Sequence, residues 1–185
     1  EEEEGYQLEP YYRNYRGLTS ATIENCGAYF TKTPDGKETI VYPYKNATKY
    51  RNTAAKDFRA QGELDSFWGQ DSYNGGGGTI TITEGENDRM EVIQMMGDYP
   101  CVSVPGATPS KDFWRNAQDY LSGFEKIVLS VDNDDPGNKL ADKFYRMFPG
   151  KVYRVPHTKF KDAHEFLENG ALKEYRQAWF NAQKM

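Results

Sequence analysis

An α/β fold built on a parallel sheet is predicted for the second half of this 185-residue chain, with a small mixed α+β unit ahead of it. Three observations carry that expectation. From residue 79 onward, short β-branched or aliphatic runs alternate with stretches of helical period. The joins between them are short, so each helix must cross back over the sheet and cover a face. Acidic residues follow the expected strands repeatedly, and a parallel sheet gathers those loops at one edge.

The elements follow in order. Stretch 1–10 opens on four glutamates and is acidic and aperiodic, as expected of a flexible N-terminal segment. Thr19 or Ser20 can cap a short helix over 21–25, which Gly27 can stop. Residues 28–33 and 38–44 read as strands around the turn signal Pro34-Asp35-Gly36-Lys37. A third extended piece covers 49–52. The small unit is expected to span 11–74, and the four glycines at 75–78 read as a flexible joint. No Lys-Ser or Lys-Thr follows them, so they do not match a nucleotide-binding P-loop.

The second unit, 79–185, begins with the β-branched strand TITIT at 79–83. Met90, Ile93 and Met96 recur at helical spacing over 89–96. A short strand at 101–104, a helix at 111–121 and the buried-type strand IVLSV at 127–131 come next. The helix expected over 137–148 places Leu140, Phe144 and Met147 on one face. A strand at 152–155 and helices at 163–167 and 172–182 close the chain. Trp68, Trp114 and Trp179 read as packing residues.

Composition excludes some classes. No apolar run approaches the ~20 residues that span a bilayer, so no membrane partner is expected. Two cysteines and two histidines are too few for a disulfide framework or a Cys-rich zinc site, and a reducing cytoplasm fits them. The net charge of −5 argues against nucleic acid until its distribution is read. Between residues 45 and 59 stand five cations, Lys45, Lys49, Arg51, Lys56 and Arg59, against the single acid Asp57. Such a stripe can hold phosphates, and it can equally be a solvated face.

The acids are the more specific signal. Glu84 leaves the first strand of the second unit, Asp132 and Asp134 leave the third, and Asp162 follows the fourth. Neighbouring carboxylates repel by roughly 1–4 kcal/mol per pair, so clustering them without a cation costs stability. Hard oxygen ligands suit Mg²⁺ or Mn²⁺, which can activate a hydroxyl and neutralise charge on a phosphate. Asp134 and Asp162 also fit the simpler role of helix N-caps, as do Glu86 and Asp88.

Glu-Gly after one strand and Asp-x-Asp after another resemble the TOPRIM signature of topoisomerases, bacterial-type primases and some nucleases. Further stretches resemble phage-type primases, the primase half of primase–helicases related to Twinkle. These are YRGLTSATIENCGAYF (15–30), KYRNTAAKDFRAQGE (49–63), ITEGENDRMEVIQM, SVDNDDPGNKLADK and KFKDAHEFLENG, and the likeness covers about 15–170. It implies template-directed synthesis of RNA primers on single-stranded DNA from ribonucleoside triphosphates. It gives Glu84, Asp132 and Asp134 catalytic and metal-binding roles, adds Asp162 as a metal ligand, and gives Lys49, Arg51, Lys56 and Arg59 nucleotide or DNA contacts. His157 and His164 could touch phosphate, although surface or capping roles suit them too.

The chain departs from that family by carrying neither the Cys set of a zinc-binding recognition module nor a Walker motif. A separate zinc module and a replicative helicase domain are therefore expected as partners, in the cytoplasm of a phage-infected bacterial cell. Two rival readings use the same residues: a TOPRIM nuclease, and a non-catalytic single-stranded-DNA-binding module whose carboxylates serve only as caps.

Overall fold

The computed structural model describes residues 9–156 and 159–185. The four leading glutamates, most of the expected 1–10 segment, and His157 lie outside the described residues. The rest forms two sheets that share packing.

Helix α1 (Ser20–Asn25) is capped by Thr19, whose hydroxyl accepts from the Thr22 N–H at 3.1 Å. An antiparallel sheet follows in the order β1 (Tyr29–Lys32), β2 (Glu38–Pro43), β3 (Ala47–Asn52), β4 (Phe58–Gly62). The Pro34–Lys37 turn joins β1 to β2, with Gly36 at φ +82°. Strand β4 escaped the sequence reading because every residue in it is exposed and no apolar alternation marks it.

The second sheet has the order β6-β5-β7-β8-β9, from β5 (Gly77–Thr83), β6 (Cys101–Ser103), β7 (Phe124–Ser130), β8 (Val152–Arg154) and β9 (Gln183–Lys184). All pairs are parallel except β8 with β9. Helices α3 (Lys111–Ser122) and α4 (Asp135–Met147) cover one face, burying Phe113, Leu121, Ala141 and Phe144 against Ile80, Ile82, Ile127 and Leu129. Helices α2 (Glu86–Met96), α5 (Ala163–Glu168) and α6 (Leu172–Phe180) cover the other. The period of two explains the TITIT strand. Its isoleucines enter the first core, and Thr81 turns to the other face, where its hydroxyl accepts from Trp179 Nε1 at 2.9 Å.

The glycine run corrects one expectation. It is not a joint: Gly77 and Gly78 begin β5, and Gly77 N–H donates to Gly123 O at 3.1 Å. Glycine is required because the backbones meet closely; a Cβ at Gly123 would lie 2.2 Å from Gly75 O. Nor do the two sheets have separate interiors. Trp68 and Met90 pack with Ile40, Tyr42 and Phe30 from the antiparallel sheet, while Phe67, beside Trp68, enters the core of the parallel one. Buried Arg89 reinforces the junction. It donates to Cys101 O at 2.7 Å and Cys26 O at 3.4 Å, and stacks over Trp68 at 4.6 Å. Among the described residues no helix is long and apolar enough to cross a membrane.

Candidate active site

Strands β5 and β7 are neighbours, with Thr83 opposite Ser130. The residues that leave them therefore meet at one edge, and the Asp132 N–H donates to Glu84 Oε1 at 2.6 Å. Arg154, at the end of β8, holds the same loop by donating to Asp132 O at 2.8 Å. Gly137 lets α4 start against this corner. A Cβ there would fall 2.0 Å from Asp132 O and 2.8 Å from Glu84 Oε1. Asp134 caps α4, accepting from Gly137 N–H at 2.8 Å, and Asp162 caps α5, accepting from Glu165 N–H at 2.9 Å. Both thus perform the cap role, with their remaining carboxylate oxygens at the same edge of the sheet.

Helix α2 brings further acids to this edge, among them Glu86 and Asp88 from the run that leaves β5. Asp88, one turn beyond Glu84, lines the same cleft. Burial pushes its carboxyl up to about 8, and Asp132, Asp162, Glu84 and Glu86 add to the rise. Burial likewise raises Glu84 to about 7 against the lowering effect of its Asp132 hydrogen bond, with Asp132 and Asp134 raising it further. Glu91 is raised to about 9, mainly by burial and then by Asp88. Its Oε1 lies 3.0 Å from His164 Nδ1, which places that ring at the cleft. Glu86 does something else. Buried, it accepts from Lys49 Nζ at 2.8 Å and Tyr44 hydroxyl at 2.7 Å, tying the two sheets together. Tyr42 does the same through Asn87 Oδ1 at 2.7 Å.

The opposite wall of this cleft of about 700 Å³ is the inner face of the antiparallel sheet. Lys49 and Arg51 stand there, two residues apart on β3, with Phe58 across from Arg51 on β4. Arg51 Nε is buried and lacks a hydrogen-bond partner. Lys49 is committed, bonded to Glu86 and to Pro105 O at 2.9 Å. The alternation of β-strand side chains splits the expected basic group. Arg59 pairs with Tyr50 and lies over its ring at 4.9 Å, on the outer face. Lys56 sits exposed in the β3–β4 turn. The structure therefore brings together Glu84, Asp132, Asp134, Asp162, Arg51 and Lys49, and places Lys56 and Arg59 apart from them. Asp88, read from the sequence as a helix cap or a member of the metal segment, stands four residues beyond Glu84, one helical turn into α2, in the cleft. His164 was a candidate phosphate contact, but Glu91 and its pairing with His164 gave no sequence signal, because the two are 73 residues apart and meet only through the packing of α5 on α2.

Among the described residues, no three His, Cys, Asp or Glu side chains converge tightly enough to hold a metal unaided. The donor set nevertheless fits a hard divalent cation of the kind that keeps several waters and shares substrate phosphates. The fit rests on mutual crowding: Glu84 and Asp88 are each driven toward the protonated form in part by their carboxylate neighbours, and a cation would relieve that.

A parallel sheet with Glu-Gly and Asp-x-Asp at adjacent strand ends is the arrangement of the TOPRIM fold, and residues 81–167 match the sequence model of the family described as Toprim-like. Over almost its whole length the chain is similar to phage-type primases. It is 29% identical over 177 residues to the DNA helicase/primase of Enterobacteria phage T3, covering 90% of this chain and 31% of that protein. The primase fragment of the bacteriophage T7 primase-helicase superposes with a TM-score of 0.81 at 28% identity, covering 96% of this chain and 81% of that one. A second T7 structure, of the lagging-strand DNA polymerase interacting with primase domains of two gp4 subunits in the presence of an RNA/DNA hybrid and dTTP, gives 0.85 at 29% identity, covering 96% of this chain and 95% of that one. The chain thus spans under a third of the T3 relative.

Proposed function

We propose that this chain is the primer-synthesising part of a DNA primase, joining ribonucleotides on a single-stranded DNA template. The observation that carries this is one cleft whose two walls differ in charge: Glu84, Asp88 and Asp162 on the parallel-sheet side, Arg51 and Lys49 on the antiparallel side. A polymerising site needs both, cations for the phosphates of template and nucleotide and carboxylates at the reacting centre. In this reading residues 11–74 supply the basic wall and residues 79–185 the carboxylates. A T7 assembly of the lagging-strand DNA polymerase with primase domains also holds an RNA/DNA hybrid, the kind of duplex that primer synthesis on DNA would yield.

The 3′-hydroxyl of one ribonucleotide attacks the α-phosphorus of the next triphosphate. A new P–O bond forms and the bond to pyrophosphate breaks. Glu84 stands at this centre as metal ligand or general base for the hydroxyl; its rise to about 7 describes the metal-free site, and a bound cation would lower it. The orientation of Glu84 is set by the Asp132 N–H. Arg51 directs its guanidinium to phosphate, while Lys49 and Glu86 hold the two walls at fixed separation. Mg²⁺ or Mn²⁺ held by Glu84, Asp132, Asp134 and Asp162 would neutralise charge on the reacting phosphate. Lys56 and Arg59 are assigned to DNA outside the cleft.

The T3 relative is a helicase/primase, so a replicative helicase domain is the proposed partner, alongside a zinc-binding module that reads the template. The proposed setting is the cytoplasm of a phage-infected bacterial cell. Product analysis tests the reading: labelled single-stranded DNA is incubated with ribonucleoside triphosphates and Mg²⁺. New RNA on intact DNA supports it, whereas shortened DNA without RNA moves the site to a nuclease.

A further inference from the structure

The polymerising reading accounts for the charged groups of the cleft and leaves one apolar group in it unexplained. Phe58 is 51% exposed and lies outside the three hydrophobic cores. It nevertheless lines the cleft together with Glu84, Asp88 and Arg51. A single exposed phenylalanine is ordinary on a protein surface. This one is built into a charged wall: Lys49 Nζ lies 4.9 Å and the Arg51 guanidinium 5.2 Å from its ring centroid.

Both cations come from β3, the strand that pairs with β4. Strand β4 is the edge of its sheet, so no further strand follows on the other side. The cations fix the ring by attraction to its π-face. Lys49 is already held by Glu86 and Pro105 O, which leaves Arg51 as the cation beside the ring for a phosphate. Arg51 Nε, buried without a hydrogen-bond partner, has donor capacity left at that place.

Resting on the polymerising function proposed above, we infer that Phe58 is a stacking platform for a nucleobase in the cleft, with Arg51 beside it for the adjoining phosphate. Two sources supply a base, the template strand and the incoming ribonucleotide. Stacking on an aromatic ring tolerates any base, so the platform contributes position and affinity and leaves sequence choice to other groups.

The test compares wild type with Phe58→Leu and Phe58→Trp in two arms. The first arm titrates a single-stranded oligodeoxynucleotide carrying 2-aminopurine, without nucleotide; the second titrates ATP with Mg²⁺, without DNA. Phe58→Leu is expected to weaken binding roughly 10-fold in the arm that supplies the base, within the range that stacking contributes. Its salt dependence and melting temperature stay at wild-type values, because no phosphate contact and no core residue is lost. Phe58→Trp retains affinity, and its added indole emission is quenched in that same arm. Equal binding by Phe58→Leu and wild type in both arms, with no quenching in Phe58→Trp, overturns the platform while leaving the polymerase reading intact. A wild type that binds neither ligand overturns both.

Discussion

The backbone N–H of Asp132 donates to Glu84 Oε1 at 2.6 Å, joining the ends of two strands that lie 48 residues apart in sequence. The bond takes up one acceptor of Glu84 and sets where its carboxyl points. Gly137 stands against both residues, so helix α4 is packed onto this corner as tightly as backbone permits. The geometry of the site is therefore written into the backbone, and four consequences can be measured.

Gly137→Ala should damage activity and fold together. The added methyl would overlap Asp132 O and press on Glu84 Oε1, and overpacking of this kind costs roughly 1–3 kcal/mol. Chemical denaturation should show that loss, with activity falling further than the remaining folded fraction explains. Wild-type stability in the variant would mean that the corner has room to spare.

Asp88→Asn should stabilise the metal-free protein. The substitution removes a charge that burial and four acidic neighbours disfavour, a gain on the order of 1–2 kcal/mol near pH 8, or about 2–8 °C in Tm. The gain should shrink near pH 6, where wild-type Asp88 already carries a proton. Melting curves at the two pH values decide it, and a destabilised variant at both would contradict the crowding argument.

The pH dependence of metal-free stability has a definite sign. Glu84, Asp88 and Glu91 are raised in the fold to about 7, 8 and 9, above their unfolded values of ~4. The folded state then binds more protons than the unfolded state between ~4 and these values, so stability falls as pH rises from ~4 and the loss is complete at about 9. Glu38 acts the other way. Arg13, with Tyr11 and Thr53, holds it down at about 2, so its contribution is present above ~4 and lost as pH falls through 2. Stability should peak near pH ~4, where the Glu38 contribution is almost complete and the loss from the three raised carboxyls begins, and saturating Mg²⁺ should flatten the decline above it. Stability that climbs steadily from pH 6 to 9 would refute this.

The Lys49–Glu86 pair should behave as a buried tie between the walls. Its side chains are only 12% and 6% exposed, so removing one partner strands the other charge at a cost of roughly 3–5 kcal/mol. Lys49→Met with Glu86→Gln together should recover a good part of that loss. A double-mutant cycle from urea denaturation reads the coupling, and additive single losses would show that the pair does not act as a unit.

The elements with strong period were legible in the sequence: TITIT, IVLSV, and helices α3 and α4 lie within a few residues of where alternation and helical spacing put them. So were the strand-end acids, because a parallel sheet leaves its loops nowhere else to go. Strand β4 was not, since an exposed edge strand needs no apolar pattern. The stretch 45–59 read as one basic stripe, yet a β-hairpin sends alternate residues to opposite faces, parting Arg51 from Arg59. The buried roles of Arg89, Glu86 and Glu91 were hidden because α2 is buried nearly all round between the two sheets, where charged residues find partners from distant segments.

The central claim is that Glu84 and Asp132 form the reacting centre of a primer-making site. Extension of a diribonucleotide on single-stranded DNA, with labelled ribonucleotide and Mg²⁺, tests it most directly because it bypasses template recognition by a separate module. Wild type should extend the dinucleotide in a metal-dependent way, and Glu84→Gln and Asp132→Asn should each lose at least about 100-fold while remaining folded. Extension by either variant at the wild-type rate, or none by a folded wild type that binds DNA, would contradict the account.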